Sequence, residues 1–161
     1  MRLYLSSYQF GNQPEKLFEL LRGEKPKVAI ITNAADGGDE VRILERLKEQ
    51  AGFFEQHGLK AERLDLRRYF GKEKELAEKA KEYGLFWVRG GNVFVLRMAM
   101  KLSGFDSIIV KKLEDDEVVY GGYSAGGCIL CPDLNGFDIV DDVNLVEETY
   151  GVPADYGALK I

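Results

Sequence analysis

Histidine is almost absent from this chain: His57 is the only one among 161 residues. A zinc site needs more ligands than one histidine and a pair of cysteines supply, so no metal is expected. Cysteine is nearly as rare, with two residues. That number cannot build a disulfide framework, and it points to a reducing compartment, the cytoplasm. Excess positive charge is missing too. Lys and Arg number 22 against 27 Asp and Glu, so the net charge is 22 − 27 = −5, and no basic stripe stands out. Nucleic acid is therefore not an expected partner. No apolar run reaches the roughly 20 residues that a spanning helix needs. The start, Met1-Arg2-Leu3-Tyr4-Leu5, reads as a strand rather than as a signal peptide, so no membrane partner is expected either. Internal repeats, linkers and low-complexity segments are all lacking.

What remains is an ordinary globular composition, 45% hydrophobic and 30% charged, in a chain long enough for one domain with a real core. Strand and helix patterns alternate along it. Leu3 to Ser7 is a short apolar strand, followed by a helix from Pro14 with Leu17, Leu20 and Leu21, ending at Gly23. Val28 to Thr32 is a continuous apolar strand of the kind buried on both faces. A loop, Ala34 to Asp39, leads to a long helix with Val41, Leu44, Leu47, Ala51 and Phe54 on one face, stopped at His57-Gly58. Ala61 to Leu66 is the third strand and Glu73 to Tyr83 a charged helix. Leu85 to Val88 is the fourth strand, and Val93 to Leu102 a buried helix. Phe105 to Leu113 is helical and Glu117 to Gly121 is the fifth strand. This alternation predicts an α/β fold, a mostly parallel sheet with helices on both faces. After Pro132 the pattern thins into an acidic loop, and the tail from Tyr150 shows no usable period.

The fifth strand runs into Gly122-Tyr123-Ser124-Ala125-Gly126, a G-x-S-x-G pattern. A strained strand-to-helix turn of this kind pushes a serine hydroxyl out of the sheet edge, and the flanking glycines let neighbouring backbone approach. The N–H of Ala125 then opens a helix, where developing negative charge is stabilised. The alternative is a glycine-rich turn with an incidental serine. A second glycine turn, Arg89-Gly90-Gly91-Asn92, follows the fourth strand. In a parallel sheet both turns lie at the carboxyl edge, so Gly91 N–H is the natural second oxyanion donor. Asn92 is read as substrate-binding together with Arg89, and its capping of the next helix is the structural alternative. Arg89 suits a substrate carboxylate or, equally, a surface ion pair. Cys128-Ile129-Leu130-Cys131 closes a short helix before Pro132 and reads as packing, not as a redox pair. No cofactor is implied.

Arg89-Gly90-Gly91-Asn92-Val93-Phe94 with Gly122-Tyr123-Ser124-Ala125-Gly126 resembles the peptidase E family of serine peptidases, which includes the cyanophycinases and has the class I glutamine amidotransferase-like fold. The resemblance covers roughly residues 2 to 150. It implies Ser124 as nucleophile, the Gly91 and Ala125 amides as oxyanion hole, an acid after the serine and a histidine further on. It also implies small peptides as substrates, including those with an N-terminal aspartate. Serine in place of the amidotransferase cysteine disfavours glutamine hydrolysis. The acid falls among Asp133, Asp138, Asp141 and Asp142, and the family spacing of about fifteen residues selects Asp138. The downstream histidine is missing, because His57 lies upstream at a helix end. The reading is thus a single domain, 1–161, shortened at the C-terminal side of the family fold. It is either a serine peptidase or a non-catalytic relative that binds a ligand or partner. The shortening predicts an open side on the fifth strand and a homodimer with residues from about Asp133 at the contact. The alternative is a tail from Asp141 folded back as a cover.

Overall fold

The apolar runs become strands because both of their faces are covered. The computed structural model describes residues 1–161. Five strands, β1 (Arg2–Ser6), β2 (Val28–Ile31), β3 (Ala61–Arg63), β4 (Leu85–Val88) and β5 (Val119–Tyr123), form one sheet in the order β1-β5-β4-β2-β3. Every pairing is parallel. All residues of β2, β4 and β5 are buried. Successive side chains still point to opposite faces. Phe86, Val88 and Tyr120 join the larger core, while Leu85, Trp87 and Val119 join the smaller one. Two apolar faces leave no room for alternation in the sequence.

Helices α1 (Glu15–Glu19) and α2 (Glu40–Gln56) cover the smaller core, and α3 (Glu73–Ala80), α4 (Val93–Ser103) and α5 (Phe105–Glu114) the larger one. Their ends follow local chemistry. Asp39 caps α2 by accepting from Val41 N, and Gly58, at φ +75°, receives the chain after it. Asn92 caps α4 by accepting from Phe94 N and Val95 N, and Gly104, at φ +76°, ends it. The result is the three-layer α/β arrangement that the sequence predicts. No helix is long and apolar enough to cross a membrane.

Two expectations need correction. Strand β5 is not open on one side, since β4 and β1 flank it. The free edges belong to β1 and β3. The stretch after Pro132 is also more ordered than its sequence suggests. A short helix α6 (Ala125–Cys128) follows β5, and α7 (Asn144–Tyr150) forms later. Leu134 and Val146 are fully buried in the larger core. The rings of Phe94 and Tyr156 lie 5.0 Å apart, and Asp155 pairs with Lys101 at 2.8 Å and Arg97 at 3.3 Å. Parts of the chain after Asp133 therefore fold back over α4, as the alternative for the tail expects, while Ile139 and Val140 stay exposed.

Candidate active site

A parallel sheet delivers the turns after β2, β4 and β5 to one edge, and the chemistry-bearing residues meet there. Strand β5 ends at Tyr123 and α6 begins at Ala125, so Ser124 alone makes the turn. Its backbone sits at φ 51°, ψ −122°, outside the strand and helix regions. Such a conformation costs on the order of 1–3 kcal/mol for a residue with a Cβ. Ser124 is exposed, whereas Tyr123 and Ala125 on either side are buried. Packing holds the strain. A Cβ on Gly122 would lie 2.6 Å from Gly126 O, and one on Gly126 would lie 2.2 Å from Val88 O. Both glycines of the motif are thus required by backbone crossing. Tyr120 OH donates to Gly126 O at 2.6 Å and fastens α6 to β5. Burial pushes the Tyr120 phenol far above its ordinary value, so it remains a neutral donor.

The glycine turn after β4 packs directly on this serine. A Cβ on Gly90 would come within 2.8 Å of Ser124 Cβ. A Cβ on Gly91 would come within 2.2 Å of Ala34 O, in the 3-10 turn Asn33–Ala35 after β2. Asn92 N donates to that same carbonyl at 2.7 Å. The amides of Gly91 and Ala125 donate to no backbone carbonyl, so both are free for a ligand. Arg89 is half-buried, and its Nη1 is buried without a hydrogen-bond partner. Asn92 is fully engaged within the chain. Its Oδ1 caps α4 and its Nδ2 donates to Asp142 O at 2.8 Å.

The four acids separate clearly. Asp138 is exposed on a 3-10 turn, Phe137–Ile139. Asp133 and Asp142 accept from nearby backbone N–H groups of their own loops, Asn135 and Asn144. Asp141 reaches the start of α4, where its Oδ2 accepts from Val93 N at 2.8 Å. His57 lies elsewhere. Its Nδ1 contacts Phe53 O at 2.8 Å and its ring stacks on Phe18 with centroids 4.2 Å apart. Helix α2 starts at the carboxyl edge and runs for 17 residues, which carries His57 roughly 25 Å away to the opposite edge.

Two supports had no sequence signal. Gln50 on α2 donates from Nε2 to Tyr123 OH at 3.0 Å, bracing the residue before Ser124. Under the β2 turn, buried Asp36 accepts from Asn33 Nδ2 at 2.7 Å and from Tyr150 OH at 2.6 Å. Burial raises the Asp36 carboxyl above its usual value and the Tyr150 phenol well above its own. Beside them, burial pushes Asp65 up, but hydrogen bonds from Arg67 and Asn33 outweigh it and hold the carboxyl at about 2. These contacts connect groups 114 and 32 residues apart in the chain, which no local pattern encodes. A hollow of about 1070 Å³ lies along the open side of β1 and not over Ser124. It meets the serine turn only at Ser6, whose C=O accepts from Ser124 N at 3.3 Å.

A strained serine turn packed on a glycine turn at the carboxyl edge of a parallel α/β sheet defines the class, a peptidase E-like protein. The model of Peptidase family S51 matches residues 5–160, and the chain belongs to that family. Among solved structures it is similar to a candidate peptidase E protein from Listeria monocytogenes EGD-e. The TM-score is 0.75 at 25% identity, over 98% of this chain and 73% of that one. It is also similar in fold to a peptidase from an acI-B1 Actinobacterium. There the TM-score is 0.66 at 20% identity, over 85% of this chain and 59% of that one. No curated protein matches the chain.

Proposed function

We propose that this chain carries the acyl-transfer site of a serine peptidase for small peptides. In this reading Ser124 Oγ attacks the substrate carbonyl, and the Gly91 and Ala125 N–H groups receive the oxyanion. The observation that carries the reading is the exposed, strained Ser124 packed on Gly90, at an edge with two uncommitted amides. Each such donor is worth about 10²–10³ in rate in well-studied hydrolases. The unpartnered Arg89 suits a substrate carboxylate, which fits peptides with an N-terminal aspartate. Asp138 is the acid that the family spacing implies, while Asp141 caps the start of α4. The free thiols of Cys128 and Cys131 suit a reducing, cytoplasmic setting.

The serine proton needs an acceptor, and the one histidine of the chain is at the far sheet edge. A serine hydroxyl without a base is a poor nucleophile at neutral pH. That position favours a second reading, binding of a peptide without turnover. Chemical rescue separates the two. Aspartyl p-nitroanilide is incubated with the chain and with Ser124→Ala, with and without added imidazole. The peptidase reading predicts negligible turnover alone and imidazole-dependent release that Ser124→Ala lacks. An imidazole effect equal in both proteins refutes the role of Ser124. Saturable aspartyl-peptide binding without any rescued turnover supports the binding reading. Strong turnover without imidazole refutes the absence of a base, and His57→Ala is then the next variant.

A further inference from the structure

We propose that the free edge of β1 is a self-association surface that pairs with β1 of a second copy, antiparallel, about a two-fold axis through Tyr4. The backbone fixes which groups are available. Ser6 C=O accepts from Ser124 N and so points toward β5. Backbone groups alternate sides along a strand, so Arg2 and Tyr4 also point toward β5, and the N–H and C=O of Leu3 and Leu5 point outward. Strand β1 has no neighbour on that side. It carries no proline and no bulge, and its one charged residue, Arg2, is held by Asp116 and Leu20 O. The usual protections of an edge strand are missing.

An axis at Tyr4 sets Leu3 opposite the second copy's Leu5, and Leu5 opposite its Leu3. In an antiparallel ladder, hydrogen-bonded pairs alternate with non-bonded pairs. The outward groups of Leu3 and Leu5 therefore form the bonded pairs, and Tyr4 faces its own copy across the non-bonded position. The register that satisfies the backbone also gathers the leucines on one face. Leu3 already packs partly against the larger core, whereas Leu5 is 47% exposed in the single chain. Met1, Leu5 and Tyr8, on and just beyond this strand, are three of the large apolar residues left exposed.

Charge agrees with this arrangement. Lys16 and Glu19 line the hollow beside β1, on α1. The two-fold axis runs the α1 helices antiparallel, so Lys16 of one copy approaches Glu19 of the other. Opposite charges thus meet, and Arg2 faces the second copy's uncharged Ser6. The hollow of about 1070 Å³ gives the second copy room to approach. The two sheets join into one, with both serine turns at the outer ends of the paired strands.

Light scattering of the purified chain across a dilution series tests this. At high concentration the expected mass is twice the 18.1 kDa of the chain. Leu5→Lys, at a half-exposed side chain whose N–H is unused by the fold, should return the mass to that of the single chain. Its circular dichroism should remain that of the parent, and its melting temperature should no longer rise with concentration. Leu44→Lys, an exposed position on α2, should leave the mass doubled. A single-chain mass at all concentrations overturns the proposal, and so does a doubled mass that survives Leu5→Lys. Should Leu5→Lys unfold the chain, Leu5→Asn is scored by the same criteria.

Discussion

Two consecutive glycines in α6 should respond to the same substitution with opposite signs. A Cβ on Gly126 would lie 2.2 Å from Val88 O and 2.8 Å from Val88 C, whereas one on Gly127 would have nothing within 4 Å. Real Cβ contacts do not reach 2.2 Å, and the opposing atoms are backbone of a central strand. Gly126→Ala must therefore lift α6 off β4. Overpacking typically costs about 1–3 kcal/mol, and backbone against backbone belongs at the upper end. For a domain of this size each kcal/mol moves the melting temperature by about 2–4 °C, so Gly126→Ala should melt roughly 6–12 °C lower. Gly127→Ala gains helix propensity and restricts the unfolded chain, for about 0.5–1 kcal/mol in the other direction. Its melting temperature should rise by about 2 °C. Differential scanning calorimetry on the three proteins reads both effects. Equal melting temperatures for the two variants would refute the crossing of α6 on β4, and with it the placement of Ser124.

Further substitutions probe neighbouring features. Ser124→Gly removes the strained Cβ and should stabilise the chain by about 1 kcal/mol while eliminating the hydroxyl, read as a higher denaturant midpoint. Asp141→Ala should lose about 1 kcal/mol by uncapping Val93 N, while Asp138→Ala, at an exposed position, should leave the midpoint unchanged. Asp65 is held at about 2 in the fold against its ordinary 3.8. Its ionised form therefore stabilises the fold above the ordinary value, and that contribution is lost as pH falls through the folded value. Asp65→Asn should cost about 1–2 kcal/mol at neutral pH, with the difference from the parent closing between pH 4 and 2. Neighbouring Asp36 has the opposite slope, because its raised carboxyl favours the fold when protonated.

The strands were legible because burial on two faces makes continuous apolar runs, as in Val28–Ile31 and Leu85–Val88. Caps made the long helices legible, with Asn92 and Gly104 bracketing α4. The serine turn could be read because strain and backbone crossing restrict which residues fit at Gly122 and Gly126. Strand order had no local signal. That β1 lies beside β5 follows from packing between residues more than a hundred positions apart, such as Leu3 and Tyr120. Helix α7 has no periodic signal, because only Val146 of its short span is buried. Among the acids, the family spacing selects Asp138, whereas the carboxylate that meets the first N–H of α4 belongs to Asp141, and only three dimensions distinguish them.

Covalent labelling tests the central claim most directly. The chain is exposed to a fluorophosphonate, and the adduct is located by intact mass and peptide mapping. The account predicts one slow adduct, on Ser124, accelerated by imidazole and absent from Ser124→Ala. No adduct after prolonged exposure, or labelling centred on another residue, would contradict it.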